Sequence, residues 1–259
     1  MKTLSISKYF KEYGIRPSKR LGQNFLIDES VLRKIIASAE LSPKDIVLEI
    51  GPGLGILTLE LAKRVEKVIA IEKDETLCQI LKNILKANKI SNVEIINKDV
   101  LKISNFQFLN YKIVANLPYY ITSPIIRKFL EAEQKPKAMI LMVQKEVGQR
   151  ILAKPPHMNL LAISVQFYAK PKIIAYVPKN SFYPQPKVDS AIIKIIPESI
   201  PEVDTEKFFG IIKKGFSAKR KMLKNNLSGI DFDQIGLNPK IRAENLSLND
   251  WIKIYETIK

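Results

Sequence analysis

The sequence predicts an α/β fold, a mostly parallel sheet covered by helices on both faces, followed by a small C-terminal α-helical domain. Val47 to Thr58, reading Val-Leu-Glu-Ile-Gly-Pro-Gly-Leu-Gly-Ile-Leu-Thr, is an apolar strand that ends in a glycine turn and opens a helix. Strand-like and helix-like apolar spacings then alternate as far as Val143, which is the pattern of a parallel sheet with crossover helices. After Pro197 the strand pattern stops and three helical segments follow. The expected division is 1–198 for the sheet domain with its N-terminal arm and 199–259 for the helical domain.

Composition narrows the function. The chain has 259 residues, enough to bury a substantial core. Its 42 Lys and Arg against 26 Asp and Glu give a formal charge of +16, which favours a polyanionic partner such as nucleic acid. A lysine-rich or thermophilic composition would give the same excess. One cysteine, Cys78, excludes an internal disulfide, and one histidine, His157, leaves no Cys/His cluster of zinc-ligand spacing, so no metal is expected. No apolar run is long enough to span a bilayer, and the basic start lacks the apolar core of a secretory signal. The expectation is a cytoplasmic protein with no membrane partner.

The first twenty residues are basic and carry Tyr9, Phe10 and Tyr13, as a docking arm or a frayed terminus would. Leu21 to Asp28 wedges polar amides between apolar residues ahead of a helix over Glu29 to Ala39, which Asp28 can cap. The strand from Ile46 ends at Gly51, Gly53 and Gly55, where missing Cβ atoms let the backbone turn tightly and approach a ligand. A dinucleotide fingerprint would require Gly-x-Gly-x-x-Gly, but Ile56 stands at its third glycine and Glu49 precedes the first by two residues.

Lys67 to Ile71 reads as the second strand, ending at Glu72, and Leu77, Ile80, Leu81, Ile84 and Leu85 give the helix after it. Glu72 lies about twenty residues past the glycines, where nucleotide folds place a carboxylate on the ribose hydroxyls; a solvated glutamate at a strand end is the alternative. Val93 to Asn97 is a third strand, and the Asp99 carboxylate beyond it can accept from the exocyclic amine of an adenine. Lys112 to Ala115 is a fourth strand, ending in Asn116-Leu117-Pro118-Tyr119. Ser123-Pro124 opens a helix to about Glu131, and Ala138 to Val143 is a fifth strand. Ligand sites of such sheets lie beyond the carboxyl ends of the strands, where Gly51, Glu72, Asp99 and Asn116 all fall.

Ile163 to Tyr168, Ile173 to Val177 and Ala191 to Ile196 read as later strands, and Pro197 to Pro201 as a linker. Asp204 to Phe216, Ser217 to Leu227 and Ser247 to Ile258 read as helices, with Asp204, Ser217 and Ser247 as caps. Lys213, Lys214, Lys219, Arg220, Lys221 and Lys224 have almost no acidic neighbours, which points to phosphate binding over a solvated helix face.

The Asn-Leu-Pro-Tyr tetrapeptide suits a particular chemistry. An exocyclic nucleobase amine is a poor nucleophile because its lone pair is delocalised into the ring. Two acceptors, the Asn116 side chain and the Leu117 main-chain carbonyl, can hold the amine hydrogens so that nitrogen pyramidalises toward a methyl donor. Pro118 fixes the turn, and Tyr119 offers a ring for stacking the base. A strong general base is unnecessary, because the aminium product is acidic enough to lose its proton to solvent.

These residues, in this order, resemble the ribosomal RNA adenine N6,N6-dimethyltransferases that act on the small subunit. The resemblance is carried by Gly22-Gln23-Asn24-Phe25-Leu26, Val47 to Gly55, Glu72, Asp99, Asn116 to Tyr119, Gln144 to Val147, Phe182 to Ser190 and Lys219 to Leu227. It implies a Rossmann-like class I methyltransferase sheet, mostly parallel with a late antiparallel strand, and S-adenosylmethionine as methyl donor. It further implies that Asn24, Leu26, Gly51, Gly53, Glu72, Asp99 and Asn116 contact that donor, while Tyr119 and Phe182 sandwich a flipped adenine. The implied substrate is a pair of adjacent adenines in a loop near the 3' end of small-subunit ribosomal RNA, met in the immature small subunit by a monomeric enzyme. Pro155 to Leu160 departs from the family's longer Tyr-Gly-Arg-like loop. The alternatives are a large-subunit dimethyltransferase of the antibiotic-resistance type, whose typical sequences match Phe182 to Ser190 and Lys219 to Leu227 less well, and a mainly non-catalytic ribosome assembly factor.

Overall fold

A computed structural model describes residues 10, 13–18, 21–104, 106, 108–218 and 220–258. Its main sheet contains β2 (Ile46–Ile50), β3 (Lys67–Glu72), β4 (Val93–Asn97), β5 (Tyr111–Asn116), β6 (Met139–Gln144), β7 (Ala169–Val177) and β9 (Ser190–Pro197), in the order β4-β3-β2-β5-β6-β9-β7. β2 runs parallel to β3 and β5, β5 runs parallel to β6, and β9 is antiparallel to β6. The late antiparallel strand is therefore present. Strands bearing helices on both faces read as continuous apolar runs, and Val47, Leu48, Ile113, Val114 and Ala115 are all fully buried. The strand order reverses between β2 and β5, which opens a crevice at their carboxyl ends.

The crossover helices follow the apolar spacing. α1 (Glu29–Ala39) starts where the Asp28 carboxylate accepts from Ser30 N, and α2 (Ile56–Ala62) begins straight after Gly55. α3 (Glu75–Ala87), capped by Asp74 at Thr76 N and Leu77 N, buries Leu77, Ile80, Leu81, Ile84 and Leu85. α4 (Thr122–Leu130) and α5 (Lys145–Ile151) flank β6 in the chain. A separate antiparallel pair, β1 (Phe25–Leu26) with β8 (Phe182–Tyr183), sets Phe25 opposite Tyr183 and Leu26 opposite Phe182. Phe10, Tyr13 and Ile15 of the N-terminal segment pack on a cluster of Phe25, Leu54, Leu77, Ile80 and Ile84, as a docked arm would.

The structure corrects two sequence expectations. The stretch 163–168 is not a strand: α6 (Leu160–Gln166) occupies it, with the Asn159 side chain accepting from Ala162 N and the Gln166 amide donating to Ile151 O and Ala153 O. The helix expected over Ser217 to Leu227 is reduced to α8 (Leu223–Asn226). Ser217 N and its hydroxyl both bond Lys214 O at the end of α7 (Thr205–Gly215), and the Asn226 amide donates to Gly215 O and Ala218 O, which holds residues 216–218 in a turn. Asp204 caps α7 and Ser247 caps α9 (Leu248–Thr257), both as expected.

The chain divides into two compact units. One comprises the described residues to Gly148 together with Pro171–Pro197, and the other comprises Gln149–Lys170 together with the described residues from Glu198 onward. The expected division at 198/199 did not place Gln149–Lys170 with the helical segment. That grouping reflects bonds such as Met158 N to Glu244 O and Glu198 N to Tyr168 O.

Candidate active site

A cavity of about 220 Å³ opens at the carboxyl ends of β2, β3 and β5 and is lined by Asn24, Leu26, Gly51, Gly53, Glu72, Asp99, Asn116, Leu117, Pro118 and Tyr119, among others. Every residue expected to hold the methyl donor is on its wall, and so is the tetrapeptide. All of these belong to the first unit.

The glycine turn shapes one side. Gly51, Gly53 and Gly55 have φ of 69°, 58° and 77°, a region that L side chains rarely adopt. Gly51 N donates to Ile71 O at 2.9 Å and Gly55 N to Pro52 O at 2.9 Å, so the turn is locked to β3 and to itself. A Cβ on Gly53 would come within 3.1 Å of the Phe25 ring, and one on Gly55 would overlap the Leu81 side chain.

Glu72, the last residue of β3, is 8% exposed. Its Oε2 accepts from Gly53 N at 3.2 Å and its Oε1 from Asp74 N at 2.9 Å. Each carboxylate oxygen keeps a second lone pair for a ligand hydroxyl. Burial raises its pKa, and the backbone N–H groups of Asp74 and Gly53 oppose that rise. Asp99, just beyond the end of β4 and so beside the end of β3, has Oδ1 accepting from Leu101 N and Oδ2 paired with Lys73 Nζ at 3.0 Å. The Lys73 ammonium holds its carboxyl below the usual range.

Asn116 closes β5 at the other side of the switch point. Its side-chain Nδ2 donates to Asn24 O at 3.1 Å, while the Asn24 side chain donates to Gly22 O at 3.1 Å. That bond uses the amide nitrogen and leaves Asn116 Oδ1 as the acceptor for a ligand. Leu117 N donates to Met142 O at 3.2 Å, which extends the β5–β6 pairing into the tetrapeptide. Tyr119 forms a 3₁₀ turn with Tyr120 and Ile121 after Pro118, and its phenol lies 2.7 Å from Ser190 Oγ.

Phe182 is not brought to the cavity. It is 3% exposed and packs in the core with Leu26, Val177 and Ile192, because its side of the β1–β8 pair faces inward, while its neighbour Tyr183 is 53% exposed. Among the expected phosphate-binding residues, Lys213, Lys214, Arg220, Lys221 and Lys224 are exposed in the second unit, and Lys219 lies outside the described residues.

The sequence pattern assigned no site role to three charged residues on the cavity wall, Glu49, Lys73 and Lys98. Glu49 is 2% exposed and lies beside the buried Thr58 hydroxyl, which opposes the rise in its pKa. Burial, reinforced by the Glu72 charge, pushes its pKa up to about 8. Its place two residues before Gly51, at the end of an apolar strand, was the available signal. Lys73 follows Glu72, and only the fold reveals its pairing with Asp99. Among the described residues no cluster of His, Cys, Asp and Glu could hold a metal ion.

The ribosomal RNA adenine dimethylase family matches residues 15–259 of the chain. A Dehalococcoides mccartyi protein named ribosomal RNA small subunit methyltransferase A is 46% identical over 93% of this chain and 88% of its own length. One of the same name from Clostridium botulinum is 42% identical over 98% of each chain. Among solved structures, a dimethyladenosine transferase from Plasmodium falciparum superposes with a TM-score of 0.79 at 29% identity, covering 90% of this chain and 97% of that one. A 23S rRNA methyltransferase, ErmE, superposes with a TM-score of 0.76 at 26% identity, covering 90% and 98%.

Proposed function

The chain belongs to the ribosomal RNA adenine dimethylase family, and from that premise we propose that it dimethylates the N6 amines of two adjacent adenines in a loop near the 3' end of small-subunit ribosomal RNA. Its methyl donor is S-adenosylmethionine, and its working substrate is the immature small subunit in the cytoplasm, which it meets as a monomer.

The cavity fits the donor. It offers a glycine turn whose Gly51 and Gly53 line the wall, and a buried strand-end carboxylate, Glu72, for a ribose diol. Asp99 supplies an acceptor on the cavity wall for an adenine amine, and Asn24 and Leu26 line the same cavity. When bound, S-adenosylmethionine supplies an electrophilic methyl group on a sulfonium.

The observation that carries the reading is the Asn116–Asn24 bond. With Nδ2 committed to Asn24 O, Oδ1 is fixed as an acceptor beside the donor cavity. Asn116 Oδ1 and the Leu117 carbonyl hold the two hydrogens of the adenine amine, so the nitrogen lone pair leaves the ring system and positive charge develops against two oriented dipoles. Pro118 fixes the backbone at this point and the Tyr119 ring stacks the base. The aminium proton passes to solvent. Phe182, 3% exposed and packed in the core, lies outside the cavity wall in this structure. Exposed Lys213, Lys214, Arg220, Lys221 and Lys224 hold RNA phosphates.

The test offers labelled S-adenosylmethionine with unmethylated small subunits and, separately, with large-subunit RNA, and maps the methylated bases. Two adjacent dimethyladenines near the 3' end of the small-subunit RNA are expected. Label confined to large-subunit RNA, or no transfer, overturns the reading.

A further inference from the structure

Ser190 is fully buried at the first position of β9, opposite Gln144 at the end of β6. A hydroxyl enclosed there needs a partner, whereas alanine would leave no polar atom to satisfy. Its partner is the Tyr119 phenol, 2.7 Å away. Tyr119 follows β5, and β6 lies between β5 and β9 in the sheet. The tyrosine thus reaches across the carboxyl end of β6 to a fixed point on the antiparallel strand. Burial raises the pKa of this phenol, so it stays a neutral O–H.

We propose that Ser190 is a positioning residue for methyl transfer, anchoring the Tyr119 phenol so that the ring holds the target adenine over the Asn116 acceptor. The proposal rests on the stacking role given to Tyr119 above. A tyrosine side chain chooses among staggered rotamers about its first bond, and an anchor at the phenol oxygen selects one of them. The preference of the phenol O–H for the ring plane then restrains rotation about the ring axis. The 3₁₀ turn that carries Tyr119 is closed by Ile121 N to Pro118 O at 3.2 Å and offers the ring itself no such restraint. A stacked base is oriented only as well as the ring beneath it, and misorientation of reacting groups appears in the rate at saturation.

The experiment measures single-turnover methyl transfer to unmethylated small subunits at saturating S-adenosylmethionine, together with RNA affinity and melting temperature. The variants are Ser190→Ala, Tyr119→Phe, the double variant and Tyr119→Ala. Ser190→Ala and Tyr119→Phe should each slow transfer by about 2- to 10-fold, the worth of one net hydrogen bond. The double variant should be no slower than either single, and RNA affinity should be unchanged. An RNA with 2-aminopurine at the mapped position should fluoresce more brightly with Ser190→Ala than with the wild type, because stacking quenches it. Tyr119→Phe tests the anchor independently if Ser190→Ala fails to fold. Wild-type rates in both single variants, or additive losses in the double, overturn the anchoring role. Wild-type transfer by Tyr119→Ala overturns instead the stacking role on which it rests.

Discussion

Gly53 N donates to the Glu72 carboxylate at 3.2 Å, joining the glycine turn after β2 to the end of β3 across 19 residues of chain. The bond makes the glycine turn and the carboxylate one unit: the turn orients Glu72, and Glu72 fixes the turn. Glu72→Ala removes both the acceptor for a ribose diol and this tie. It should weaken S-adenosylmethionine binding by roughly 1.5–3 kcal/mol, the usual range for a hydrogen bond to a charged group. Isothermal calorimetry measures this directly, and unchanged affinity would remove the ribose role.

Glu49 gives the fold a pH dependence. Its folded pKa of about 8 stands above the ordinary carboxyl value of 4.5, because burial and the Glu72 charge disfavour ionisation. A raised folded pKa means the folded state binds more protons, so the stability contribution is complete below about pH 4.5 and is lost as pH rises through about 8. Glu72 shifts in the same direction. Glu49→Gln, which cannot ionise, should therefore gain stability relative to the wild type between about pH 5 and about pH 8.5, the span over which the wild-type carboxyl titrates. Urea unfolding without cofactor at the two pH values reads the difference. A gap between the two proteins that stays constant with pH would show that Glu49 is ionised throughout.

Most elements were legible because local signals agree with the tertiary structure. α1 and β4 have the expected bounds, and the glycine turn, the strand-end carboxylates and the tetrapeptide all converge on one crevice. What was not legible depends on distant partners. Leu160 to Gln166 is a short apolar run whose helical state is set by the Asn159 cap and by the Gln166 amide reaching Ile151 and Ala153. The turn after α7 is held by Asn226, eight and eleven residues onward. Phe182 carries a motif identity, but its direction is fixed by pairing with Leu26, which no local spacing discloses. The Lys73–Asp99 pair spans 26 residues and ties the loop after β3 to the loop after β4.

The turn also changes how the basic segment presents its charge. Arg220 and Lys221 precede α8 and Lys224 sits on it, all exposed, so they do not form a helix stripe. Replacing the three with Gln should lower RNA affinity and reduce the slope of log affinity against log salt by about 1 for each phosphate that these side chains neutralise. Filter binding across a salt series measures this, and an unaltered slope would mean that they face solvent in the complex.

Asn116 Oδ1, as the acceptor that activates the adenine amine, is the group on which the proposed chemistry turns. An interaction that strengthens as the nitrogen becomes cationic appears in the rate of transfer more than in binding. The decisive measurement is single-turnover methyl transfer by Asn116→Ala at saturating S-adenosylmethionine, with RNA carrying adenine and with RNA carrying N6-methyladenine at the target. Transfer should fall by about 10²–10³, the usual cost of one preorganised group, with RNA affinity unchanged. N6-methyladenine has one amine hydrogen left, so the size of its loss tells whether Asn116 or Leu117 holds that hydrogen. Wild-type rates with both substrates would mean that Asn116 merely closes a turn, contradicting the proposed activation.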